Sequence, residues 1–103
     1  MNIDNFTKGW VVGDFSPSLI NNKDLEVGLK HYKAGDRDEK HYHKIATEYT
    51  VVSYGVIKMM SNLYTKGDIV KINPLEINEF ECIEDACVLV IKTPSVIGDK
   101  YII

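Results

Sequence analysis

Nowhere along the chain do apolar residues recur at the three-to-four spacing of an amphipathic helix, and that absence narrows the fold more than any other feature. They alternate with polar residues instead, or stand in short runs rich in β-branched and aromatic types. The pattern predicts strands near Gly9–Val12, Leu25–Tyr32, Lys40–His43, Glu48–Tyr54, Val56–Met60, Leu63–Thr65, Ile69–Ile72, Glu79–Ile83 and Ala86–Thr93. Turn residues fall between them at Ser16-Pro17-Ser18, Lys33–Asp36, Ser61-Asn62, Lys66–Asp68 and Glu84-Asp85. Many short strands with brief connections predict an all-β fold, an antiparallel sandwich or barrel. No repeat, low-complexity tract or linker divides residues 1–103, so a single domain is expected. With 45% hydrophobic residues, a chain of this length can fill one core without disulfide staples.

Two connections make sharper predictions. Gly67-Asp68 supplies the positive φ of a tight turn ahead of Ile69-Val70-Lys71-Ile72. Glu84-Asp85 reads as a two-residue hairpin between Phe80–Ile83 and Ala86–Ile91, which would set Cys82 directly opposite Cys87, within reach of a disulfide. The plainer reading of the two cysteines is a pair of small buried thiols.

Charge and hydropathy exclude some partners. The net charge is −3, and the twelve basic residues are scattered rather than clustered among aromatics, so a nucleic-acid surface is not expected. The opening MNIDNFTKGW lacks an apolar signal region, and the run Cys87–Ile91 is too short to cross a bilayer. A cytoplasmic protein that binds no membrane is the expectation. Both ends are apolar, Trp10-Val11-Val12 and Tyr101-Ile102-Ile103. As unpaired strand edges they predict a homodimer; otherwise they close off the bottom of the barrel.

The stretch that carries chemistry runs from Gly35 to Gly55. His41 and His43 are two residues apart, so on a strand both imidazoles leave the same face. Lys44–Thr47 can reverse the chain, and Glu48 then begins the neighbouring strand. Two imidazoles and a carboxylate converge in this reading, a set that holds a divalent metal and leaves positions open. A lone His-x-His in a β protein is otherwise commonly an ordinary surface or core pair.

Gly35, His41, His43, Glu48 and Gly55 fill every required position of the first cupin motif, and the chain resembles that family from about Leu25 to Ile91. The resemblance implies an antiparallel double-stranded β-barrel, a jelly roll, with metal held inside one end by His41, His43 and Glu48. Gly67–Pro74 is similar to the start of the second motif, but Asn78 stands where the family's fourth ligand, a histidine, belongs. An amide oxygen is the weaker donor, and Glu76 would compensate if it shared a strand face with Asn78. Iron, manganese, nickel and zinc all tolerate such a set.

Beyond the ligands, strand parity turns Thr50, Val52 and Tyr54 inward, and the supposed hairpin adds Phe80, Cys82, Leu89 and Ile91. Glu76, Tyr54, Phe80 and Tyr32 are the candidate pocket residues. Lys30 and Arg37 read as solvated charges, Tyr42 faces away from the histidines, and His31 is unremarkable. The catalytic residues are not identified. Two functions compete: a metal-dependent isomerase, epimerase or dioxygenase acting on a small polar or sugar-derived molecule, and a non-catalytic module that binds a small ligand or metal. No cluster of Arg and Lys is visible to clamp a phosphate, which argues against phosphosugar chemistry.

Overall fold

Two long strands organise the chain, and every other strand is attached to one of them or to a neighbour. The structure, a computed structural model, describes residues 1–103. The strands are β1 (Trp10–Gly13), β2 (Ile20–Asn21), β3 (Glu26–Tyr32), β4 (Arg37–Tyr42), β5 (Thr47–Met59), β6 (Asn62–Tyr64), β7 (Ile69–Ile72), β8 (Asn78–Thr93) and β9 (Tyr101–Ile102). Helix is confined to two single 3-10 turns, Ile3–Asn5 and Thr7–Gly9.

β5 and β8 run antiparallel along almost their whole length, from Thr47 opposite Thr93 to Met59 opposite Phe80. On its other side β8 is joined by β3 along residues 86–92 and by β4 along residues 78–81. β1 continues the sheet beyond β3, and β9 continues it beyond β4. The far side of β5 takes β7 and then β6. All pairings are antiparallel except the two-residue contact of β1 with β2. Hydrogen bonding does not close into a ring; β2, β9, β6 and β7 remain as edges. The enclosure therefore comes from folding the sheet onto itself, as in a jelly roll.

The fold-over is written into the register. Between Val52 and Ile57 the pairing of β5 with β8 slips three times, and bulges of this kind bend a strand pair sharply. Gly55 lies at the bend with φ +88, and a Cβ there would stand 2.3 Å from the Asp85 carbonyl oxygen and 2.5 Å from the Ala86 Cα. Only a residue without a side chain lets the backbones approach so closely. Inside the fold, Val52, Ile57, Met59, Val70, Ile72 and Phe80 pack with Cys82, Ala86, Val88 and Val90 in one cluster drawn from both halves of the sheet.

This bend replaces the hairpin expected at Glu84-Asp85. The chain does not reverse there, because residues 78–93 form one strand. Side-chain parity then runs straight through: Phe80, Cys82, Ala86, Val88 and Val90 are buried, whereas Leu89 and Ile91, expected inside, are only half-buried. Cys82 pairs with Ile57 while Cys87 lies opposite His31 and Tyr54, so the two thiols are not cross-strand partners. Both are free and buried. Likewise, the two predicted strands Glu48–Tyr54 and Val56–Met60 are one. Elsewhere the expected turns hold. Gly67 has φ +89, and the two-residue loop Met60-Ser61, both at positive φ, closes the β5–β6 hairpin one residue earlier than its composition indicates. No helix is long and apolar enough to cross a membrane.

Candidate functional site

His41, the last residue but one of β4, lies directly opposite Asn78, the first residue of β8. Alternation sends the neighbouring Tyr42 to the outer face, where its ring stacks on Tyr101 at 5.3 Å, and returns His43 to the inner one. The two imidazoles meet edge to face, 5.2 Å between centroids. Residues 44–46 then turn the chain into β5, which brings in Glu48. That connection is clamped from the far end of the sequence. The buried Asp99 carboxylate accepts hydrogen bonds from the backbone N–H groups of Lys44 (3.0 Å), Ile45 (3.1 Å) and Ala46 (2.9 Å).

His41, His43, Glu48 and Asn78 are all buried, and all line one cavity of about 290 Å³. The Nδ1–H of His41 donates to the Glu39 carbonyl at 2.6 Å; a carbonyl can only accept, so the bare lone pair belongs to Nε2. His43 Nε2 is buried with no partner. The Asn78 amide donates to Glu48 Oε2 at 3.1 Å, which leaves Asn78 Oδ1 buried and unpartnered as well. Burial drives His43 down to about 4, helped by the positive charge of Lys92 and by His41. Burial also lowers His41, partly offset by its bond to the Glu39 carbonyl, and raises Glu48 despite the opposing charge of Lys92. The imidazoles are consequently neutral near pH 7. No group of three or more His, Cys, Asp or Glu side chains is placed so that it could hold a metal ion. Glu48 is turned onto the Asn78 amide instead.

The cavity wall behind these residues is Thr50, Met59, Val88 and Val90, with Phe80 and Tyr32 in ring contact at 4.6 Å. Burial raises the Tyr32 phenol, so it stays protonated near neutral pH. Two residues expected in the pocket lie elsewhere. Glu76 is exposed in the turn before β8, accepting at 2.6 Å from the Asn73 side-chain amide, and so shares no strand face with Asn78. Tyr54 follows the first register slip of β5 and is 50% exposed. Arg37 sits outside, paired with Glu81 at 3.1 Å, and His31 is exposed.

The reading of the lysines changes. Lys8, Lys30, Lys92 and Lys100 all line the cavity, with Trp10 and Asp38. Lys30 is thus a wall residue rather than a merely solvated charge, and the absence of a basic cluster does not survive folding. Sequence reasoning missed this group because its members are far apart along the chain. Asp99 also carries no local signal, being one acid in an ordinary Ile-Gly-Asp-Lys loop.

No protein-family model matches the sequence, and no curated protein matches it. Solved structures do. An uncharacterised conserved protein with a double-stranded β-helix domain from Klebsiella pneumoniae is 15% identical, with a TM-score of 0.74 over 99% of this chain and 88% of that one. A sugar phosphate isomerase of the cupin superfamily from Silicibacter pomeroyi is 20% identical, with a TM-score of 0.60 over 70% of this chain and 52% of that one. The bacterial pirin of Escherichia coli in complex with nickel(II) is 16% identical, with a TM-score of 0.72 over 87% of this chain and 40% of that one. The chain spans most of the first protein and about half or less of the other two. With its folded-over antiparallel sheet and these likenesses, the chain has the cupin fold, the double-stranded β-helix.

Proposed function

We propose that this protein binds a divalent metal at the inner end of its cavity, through His41, His43, Glu48 and Asn78, to act on a small polar or sugar-derived molecule. One observation carries the reading. His43 Nε2 and Asn78 Oδ1 are buried lone pairs without partners, in the same cavity as a carboxylate that burial disfavours. Each alone costs about 1–3 kcal/mol, and a cation that drew these side chains together would satisfy them. The donor set fits: neutral imidazoles need no deprotonation, and the Asn78 amide engages only Oε2 of the Glu48 carboxylate. Imidazole, carboxylate and amide oxygen suit iron, manganese, nickel or zinc. The nickel(II) complex of the Escherichia coli pirin supports that range.

When bound, such an ion supplies Lewis acidity toward a carbonyl, carboxylate or hydroxyl oxygen. The chain's own residues hold the geometry. The Glu39 carbonyl fixes the His41 ring, the Asn78 amide fixes Glu48, and the protonated Tyr32 phenol lines the same cavity. The likeness to a sugar phosphate isomerase supports a sugar-derived ligand. A second reading, a non-catalytic binding module, draws on Asn78 in place of a ligand histidine and on the exposed position of Glu76, which takes the carboxylate expected to compensate out of the cavity.

Metal analysis of the purified protein and of His43→Ala tests the proposal. The wild type should carry near-stoichiometric metal and the variant almost none, with the β-sheet circular dichroism retained. Full occupancy in His43→Ala would overturn the ligand assignment. Asn78→His separates the two readings: tighter metal with no turnover of any sugar-derived substrate would favour the binding module.

A further inference from the structure

The cavity that holds the histidines is basic in a protein that is acidic overall. Four lysines line it against two carboxylates, Asp38 and Glu48, although the whole chain carries −3. Two of the four are organised around the chain's one tryptophan. The Lys30 ammonium lies 4.3 Å from the centre of a Trp10 ring and the Lys92 ammonium 4.8 Å. The indole has room to lie there because β1 pairs Trp10 with Gly28, where a Cβ would come 2.8 Å from the ring. Cation–π contacts hold both stems in place, leaving the ammonium donors for other partners.

Those donors are under-used. Lys30 gives one hydrogen bond, to the Lys8 carbonyl, and Lys92 has only the Glu26 carboxylate at 3.9 Å, itself engaged by the Ser95 hydroxyl. Each ammonium has three N–H groups to place. Burial holds Lys30 down to about 8; Asp38 pulls it up, while Lys92 and Lys8 push it further down. Like charges crowded in a half-buried wall are unfavourable until an anion joins them. Lys92 is also directly cross-strand from Glu48, so the basic wall adjoins the histidine end.

We infer that Lys30 and Lys92, set against Trp10, form an anion subsite that takes the carboxylate or phosphate group of a small organic molecule whose other end reaches His41, His43 and Glu48. The role of that other end rests on the proposed function; the lysine subsite does not need it. Cavity walls of low dielectric strengthen such pairing, and the positive field draws anions into a chain that would otherwise repel them.

Trp10 is a built-in reporter, since an anion paired with either ammonium changes the charge against its ring. The test uses full-length, metal-free protein titrated with malonate, inorganic phosphate and neutral glucose, read by tryptophan emission and by calorimetry. Malonate or phosphate, or both, should give a saturable, salt-sensitive change, and glucose none. Lys30→Met and Lys92→Met keep the aliphatic stem on the indole and should each weaken binding about tenfold or more, the loss of a charge-assisted hydrogen bond. Lys30→Arg should restore most of it, and Lys66→Met, on an exposed turn, should change nothing.

His43→Ala keeps the anion titration separate from the metal question. If it still binds anion when metal-free, the subsite stands whatever becomes of the ligand assignment. The inference is overturned if neither anion binds, if glucose binds equally well, or if both methionine variants, folded by circular dichroism, retain wild-type affinity.

Discussion

Replacing Asp99 should loosen the site from a distance, and the size of the effect can be worked out bond by bond. Its carboxylate is buried and receives the N–H groups of Lys44, Ile45 and Ala46, the three residues that join His43 to β5. A hydrogen bond to an ionised carboxylate contributes about 1.5–3 kcal/mol net. The three do not simply add in Asp99→Ala, because Lys44 and Ile45 are exposed and water can replace the lost acceptor. Ala46 is 3% exposed, so its N–H is left bare. A loss of about 3 kcal/mol follows, which in a domain of this size lowers Tm by roughly 15 °C. Asp99→Asn presents an NH2 group to an N–H donor and should cost about 2 kcal/mol.

The pH dependence gives a second handle. Burial pushes the Asp99 carboxyl up, but the backbone hydrogen bonds from Ala46, Lys44 and Ile45 together outweigh it and hold it below the usual range. A depressed carboxyl stabilises the fold above the unfolded pKa of about 4 and ceases to do so as pH falls through the lower folded value. The Tm gap between wild type and Asp99→Asn should therefore be constant near neutrality and close in strong acid. Thermal unfolding by circular dichroism across pH measures it. A variant as stable as wild type at pH 7, or a gap that persists unchanged into strong acid, would refute the clamp.

Two further outcomes follow from the bend. Gly55→Ala should leave little folded protein, because its Cβ meets the Asp85–Ala86 backbone at 2.3–2.5 Å with φ +88, and soluble yield or Tm reads the loss. A variant within a few degrees of wild type would show that the bend is more pliable than drawn. Cys82 and Cys87 should stay reduced in air and react slowly with a thiol reagent until unfolded, since burial raises both thiols and no cross-strand geometry joins them. Rapid labelling of native protein, or an intramolecular disulfide by mass, would contradict the single-strand path of residues 78–93.

Much of the architecture was legible because strands announce themselves locally. Ile69–Ile72 has the expected bounds, flanked by a glycine turn on one side and a proline on the other. Glu84-Asp85 misled, because two polar residues between apolar runs look the same whether the chain reverses or bends. What decides is the partner strand, where Gly55 and three register slips let β8 fold over without turning back. The parity error at Leu89 and Ile91 follows from that one misreading. Glu76 failed for a similar reason. Its place on a strand face was assumed, whereas the Asn73–Glu76 hydrogen bonds hold it in the preceding turn.

By itself the sequence determined the β character of the chain and the common face of His41 and His43, since a period of two is a property of the backbone that needs no partner. Only the tertiary structure decided what that face encloses. Lys8, Lys30, Lys92 and Lys100 come to line one cavity, and Asp99 reaches residues 44–46, only after β1, β3 and β8 have paired. Register across such distant strands is set by the summed packing of the whole sheet, and no local stretch of residues contains that sum.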